Sequence, residues 1–88
     1  GVYATRVTFE NGESRPAVTN IGVRPTVDDG DRVTVEGFIL DFQGDLYGQT
    51  VRMEFYKRLR GERKFPSLEA LKDEVMRNAE QTRAYFST

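Results

Sequence analysis

The sequence contains no cysteine and no histidine. Without cysteine there is no disulfide to staple the fold, and without either residue there is no zinc site of the usual kind. The same absences remove cysteine nucleophiles, histidine-assisted serine triads and imidazole bases, so any acid–base chemistry falls to Asp, Glu, Lys or Tyr. An excess of one charge is missing too. Lys and Arg number 13 against 14 Asp and Glu, a formal net charge of -1, which gives no global attraction for nucleic acid or for an anionic membrane surface. No apolar run approaches the roughly 20 residues that span a bilayer, and Gly1 to Arg6 lack the basic-then-apolar layout of a signal peptide. A soluble, cytoplasmic protein is the expectation. With 88 residues the chain has room for one small domain, because a chain this short buries only roughly 60–65% of the surface it exposes when unfolded. Its stability has to come from packing.

What is present is a succession of strand signals followed by one helical signal. Val2 to Phe9 favours extended backbone, Asn11-Gly12 is a tight-turn pair, and Ser14 to Ile21 reads as the returning strand of a hairpin. Pro16 removes one ladder donor, which points to an edge or an irregular start, and Gly22 closes the strand. Arg24 to Asp31, with three aspartates and a glycine, reads as an exposed, mobile loop. Arg32 to Phe42 carries apolar side chains on both faces, Val33, Val35 and Ile39 against Phe38 and Leu40, and is expected to be a central strand. Two glycines bracket a turn at Gly44 and Gly48, and a fourth strand runs from Gln49 to Lys57. The period then changes. Leu68, Leu71, Val75, Ala79, Thr82 and Phe86 recur at helical spacing, with Ser67 as N-cap. Glu69, Lys72, Asp73, Glu74, Arg77, Glu80 and Arg83 read as the solvated face of that helix, which is expected to pack on the outside of the sheet. Short antiparallel strands with a terminal helix suggest a small barrel or curled sheet, although four strands are few for closure.

Three groups of residues invite chemistry, each with two open readings. Glu36 is either a partly buried carboxylate whose raised pKa suits a general base, or an edge-strand glutamate pointing to water. Tyr56 to Phe65 concentrates basic residues between aromatics. It reads either as an Arg-forked site for a phosphate or planar anion, or as a solvated loop. Asp41 and Asp45 match no EF-hand spacing and read either as a cation site or as turn residues. No P-loop and no dinucleotide-binding glycine fingerprint occurs.

The order of specific strings adds a resemblance. Gly1-Val2-Tyr3-Ala4, Asn20-Ile21-Gly22-Val23-Arg24-Pro25-Thr26, Val35-Glu36 to Asp41-Phe42, Gly44-Asp45-Leu46-Tyr47-Gly48, and Leu59-Arg60 with Lys64-Phe65-Pro66-Ser67-Leu68 follow the pattern of the riboflavin kinase domain. In bacteria that domain forms the C-terminal half of bifunctional FAD synthetase. The resemblance covers essentially residues 1–88 and implies a mainly β fold, a six-stranded Greek-key barrel with a C-terminal helix. It implies transfer of the γ-phosphoryl of ATP, with Mg2+, to the 5′-hydroxyl of riboflavin, giving FMN for flavin cofactor biosynthesis. By resemblance Glu36 is the catalytic base, Leu59 and Arg60 are flavin-binding, and Leu46 and Tyr47 line the nucleotide pocket. Asn20 to Thr26 would form a nearby wall without individual roles. A linked FMN adenylyltransferase domain is the implied covalent partner. The family's glycine-rich flap and Pro-Thr-Ala-Asn motif, which precede the Gly-Val-Tyr-Ala strand and supply a magnesium ligand, have no counterpart in the 88 residues, so the chain is expected to lack the family's first strand. The rival reading is a non-catalytic small-barrel module that grips single-stranded nucleic acid or a protein partner through the basic loop.

Overall fold

The computed structural model describes residues 1–26, 30–44 and 48–87. The strands β1 (Val2–Thr8), β2 (Ser14–Thr26), β3 (Gly30–Ile39) and β4 (Arg52–Arg60) precede one helix, α1 (Leu68–Phe86). The mainly β architecture with a C-terminal helix is as expected. The four strands form one antiparallel sheet in the order β3-β2-β1-β4.

The first hairpin follows the turn chemistry. Phe9 N donates to Glu13 O at 2.8 Å and Gly12, at φ 89°, donates to Phe9 O at 3.0 Å, a positive φ that glycine adopts without strain. Pro16 stands in a central strand rather than at an edge. Gly1 and Ile21 exchange bonds across β1–β2, so the alternation of the ladder leaves Arg6 and Pro16 a non-bonded pair. The missing donor of Pro16 therefore faces the other neighbour, where the β2–β3 register has already ended at Ala17 and Pro16 O alone accepts from Leu40 N at 2.9 Å.

Two expectations about β2 and β3 are corrected. The returning strand does not close at Gly22 but continues to Thr26, and Arg24 to Thr26 pair with Arg32 to Gly30 instead of starting a loop. Val27, Asp28 and Asp29 lie outside the described residues. β3 is an edge strand, not a central one. The reason is the offset of the two registers: β1 pairs with β2 only as far as Asn20, whereas β3 pairs with it to Thr26. The outer arm of the β2–β3 hairpin projects past β1, which leaves Val23, Val33 and Val35 55–64% exposed. Only the inner end, Ile39 and Leu40, reaches the core. Alternation reports apolar faces and not the length of the neighbouring strand.

Ser67 caps α1, its Oγ accepting from Ala70 N at 3.1 Å. The helix packs on β2 and β1, but its buried face is rotated from the expected one. Glu74, Asn78, Ala79 and Thr82 are buried, whereas Leu68 is 85% exposed. Two clusters form the core. Val2, Val18, Leu40 and Ala79 pack between sheet and helix with Leu59 against them, and Val7, Phe9 and Ala17 pack on the opposite face with Ile39, Phe42 and Met53. Thr5 and Thr19 share a 2.8 Å hydroxyl bond on that second side, and Thr5 Oγ1 also donates to Ala17 O at 3.1 Å, so these polar groups are satisfied where they are buried.

The rotated helix face makes a contrast that urea denaturation can read. Leu40→Ala, which empties a fully buried site, is expected to lower stability by about 3 kcal/mol. Leu68→Ala, on the helical position that the periodicity alone would bury, is expected to change it by less than about 0.5 kcal/mol.

Candidate active site

β1 and β4 do not run in simple register. The pairing shifts between Val2 and Tyr3, so Val2 opposes Arg60 while Tyr3 opposes Arg58. This bulge leaves Leu59 as the extra residue and turns Arg60 to the face that Val2 shares. Tyr56 to Arg60 thus belong to a strand, and the basic loop expected from Tyr56 onwards begins only at Gly61. The chain then crosses close to β2. A Cβ on Gly22 would meet Glu62 Oε1 at 2.5 Å, so this position has room for hydrogen alone unless Glu62 moves.

The anchor of the region is Glu74, placed by the sequence on the solvated face and in fact 7% exposed. Arg60 Nε lies 3.3 Å from Oε2, Arg63 Nη2 3.2 Å from Oε1, and Arg77 Nε and Nη2 reach the two oxygens at 3.1 and 3.2 Å. Asn78 Nδ2 adds a donor to Oε2 at 3.3 Å. The hydrogen bond from Arg77, supported by its charge, by Asn78 and by Arg63, outweighs burial and holds the Glu74 carboxyl below the usual carboxylate range. Arg60 is fixed further by Asn78 Oδ1 at 3.0 Å and Gly61 O at 3.2 Å. Its guanidinium, with that of Arg63, packs over the Phe65 ring at 5.4 and 4.8 Å from the centroid.

Between this network and the sheet lies a cavity of about 460 Å³, in the size range of small-molecule sites. Val2, Val18 and Asn20 form its floor, and Glu36, Gly37 and Phe38 one side. Arg60, Glu62, Arg63 and Phe65 form the opposite side, with Leu71, Val75 and Asn78 of α1 above. Leu71 and Val75, apolar and at helical spacing, face the cavity rather than a sheet partner.

The structure brings Glu36 and Arg60 into one cavity. Glu36 is exposed and on an edge strand, as the second of its two readings had it, yet its side chain belongs to the cavity wall. Leu59 does not line this cavity and packs against the core cluster of Val2, Val18, Leu40 and Ala79. Leu46, Tyr47 and Asp45 lie outside the described residues. Asp41 adopts a left-handed turn at φ 54° and accepts from Arg83 Nη2 at 3.2 Å, which is turn and tether chemistry. Among the described residues no three His, Cys, Asp or Glu side chains gather to hold a cation. Sequence reasoning missed Glu74 and Asn78 and gave Asn20 a place in a wall without an individual role. The one available signal was the pairing of Arg60 and Arg63 with an acidic helix position further along the chain.

A solvent-accessible cavity walled by aromatic, aliphatic and guanidinium groups, with a carboxylate on its far side, defines a small-molecule site on a mainly β domain. The flavokinase family model, described as riboflavin kinase, matches residues 1–86, and the chain belongs to that family. It is 39% identical over 88 residues to a bifunctional riboflavin kinase/FMN adenylyltransferase of Haemophilus influenzae, covering 100% of this chain and 28% of that protein. With its Pseudomonas fluorescens namesake it is 44% identical over 84 residues, 96% of this chain and 27% of the relative. A crystal structure titled a macrolide-efflux protein, from Streptococcus pneumoniae, superposes with a TM-score of 0.86 at 34% identity, over 94% of this chain and 27% of that one. The chain thus spans little more than a quarter of the length of these proteins. No helix among the described residues is long and apolar enough to cross a membrane.

The lowered Glu74 pKa fixes the sign of an acid response. The folded-state value lies below the unfolded one, about 4.3, so this stabilisation is present above that value and is lost as pH falls through the lower, folded-state pKa. Urea midpoints measured from neutral pH downwards are expected to drop below about pH 4, and Glu74→Gln is expected to remove part of that dependence.

Proposed function

We propose that the chain transfers the γ-phosphoryl group of ATP to the 5′-hydroxyl of riboflavin, giving FMN and ADP. The family match over residues 1–86, joined to a cavity that holds Glu36 and Arg60 together, carries this reading. Riboflavin is a flat heteroaromatic ring with a polyol tail, and the cavity has a matching polarity. Phe65, Leu71, Val75 and the fixed Arg60 guanidinium suit the ring, since an aromatic face and a guanidinium plane both stack on planar groups. Glu36, across the cavity, suits the hydroxyl terminus. It accepts the 5′-hydroxyl proton while the oxygen forms its bond to the γ-phosphorus and the β–γ bridging oxygen leaves with ADP. Such a transfer depends chiefly on positioning and charge stabilisation, so the absence of histidine and cysteine is no obstacle. Mg2+ is part of the reading as the ion that accompanies ATP. The proton transfer to Glu36 does not run through the metal.

The reading extends to a covalently linked FMN adenylyltransferase domain, on the pattern of the bifunctional relatives, and to the cytoplasm, where ATP is available. Leu46 and Tyr47 remain its nucleotide-side residues, and Leu59 supports Arg60 from the core side. The nucleic-acid alternative loses ground on one observation: Arg60 and Arg63 are both turned to Glu74 and have less charge to offer a phosphodiester backbone.

Steady-state FMN formation and a riboflavin fluorescence titration test the role of Glu36. Glu36→Gln is expected to lower kcat by about 100-fold or more and to leave the riboflavin dissociation constant unchanged. A variant with wild-type turnover would remove Glu36 as base.

A further inference from the structure

The segment from Gly61 to Pro66 joins β4 to α1 and supplies Glu62, Arg63 and Phe65 to the cavity wall. Among the described residues, Glu62 to Pro66 make no backbone–backbone hydrogen bond, so side chains hold this wall in place. Glu62 lies over Gly22, and neither it nor Lys64 forms an ion pair with a described residue. Arg63 does. Its Nη2 lies 3.2 Å from Glu74 Oε1, and its guanidinium packs on the Phe65 ring at 4.8 Å from the centroid. One side chain thus ties both itself and the neighbouring ring to α1. Glu74 is a firm anchor, because Arg77 and Asn78 of its own helix fix the carboxylate. Arg63, with a side chain 55% exposed, has no second ion pair.

We infer that Arg63 is a positioning residue: through its ion pair with Glu74 it holds the Glu62–Phe65 wall against the cavity, and so sets the affinity for riboflavin. The choice of ligand rests on the flavokinase reading, whereas the tether itself does not. A segment without backbone hydrogen bonds opens locally at low free energy. A charge-assisted contact to a buried carboxylate therefore shifts the balance between a wall in place and a wall displaced. A ligand that binds only the closed arrangement is weakened in proportion to the fraction of molecules that lack it. Arg60 is not released with Arg63, since Asn78 Oδ1 and Gly61 O hold it independently.

The test joins hydrogen exchange on the free protein to riboflavin fluorescence titration. Arg63→Met, similar in length and uncharged, is expected to speed amide exchange between residues 61 and 67 with no flavin present. It is expected to bind riboflavin about threefold to tenfold more weakly. Arg63→Lys, which keeps the ion pair, should recover most of that affinity, a rescue that loss of bulk alone does not give. In a Glu74→Gln background, Arg63→Met should cost less than about twofold more, because the two residues act through one contact. If Glu74→Gln does not fold, the exchange data and the lysine rescue carry the comparison. Unchanged exchange or wild-type riboflavin affinity in Arg63→Met overturns the inference. So does an equal loss with and without the Glu74 carboxylate, which would mean that Arg63 contacts the ligand directly. All of these leave the flavokinase reading standing. A wild-type protein that binds no riboflavin overturns both.

Discussion

The arrangement of this domain depends on a single carboxylate. Glu74 is buried in a helix face that would otherwise bring leucine and valine to the sheet, and it is held there by three guanidinium groups. Arg77 belongs to its own helix, whereas Arg60 and Arg63 come from the end of β4 and the segment beyond it. Burying an unpaired carboxylate would be prohibitive, and pairing it with several donors is what makes the position tenable. Because two of those donors are distant in sequence, the ion network also sets the rotation of α1 against the sheet. With Glu74 turned inward, Ala79 meets Val2 and Val18, and Leu71 and Val75 are left one turn away with nothing of the sheet beneath them. The cavity occupies that place.

Much of this architecture can be read from the residues, and the failures have a common cause. The Asn11-Gly12 turn, the four strands and the Ser67 cap are local features, each decided by a few neighbouring residues. β3 looked central because Val33, Val35 and Phe38 are apolar. Whether such side chains are covered depends on how far β1 extends beside β2, which is a property of two other strands. Glu74 looked solvated for the same reason. Its burial follows from arginines 11 and 14 residues upstream in the chain, and helical periodicity carries no information about them. The bulge at Leu59 is equally silent in sequence, yet it decides that Arg60 faces the cavity while Leu59 enters the core. At the site, ordered motifs singled out Glu36 and Arg60.

The two ends of the cavity stand on different supports. On one side Arg60 is held by a carboxylate, an amide oxygen, a backbone carbonyl and an aromatic face. These partners differ in chemistry and direction, so losing one does not free the guanidinium. On the other side Glu36 rides on a strand paired only with β2, in a hairpin whose outer arm projects beyond β1. Recognition of a flat ring needs a rigid wall, because stacking energy falls steeply with separation. On the proposed reading, the Arg60 guanidinium stands at the ring end of the cavity and the Glu36 carboxylate at the hydroxyl end.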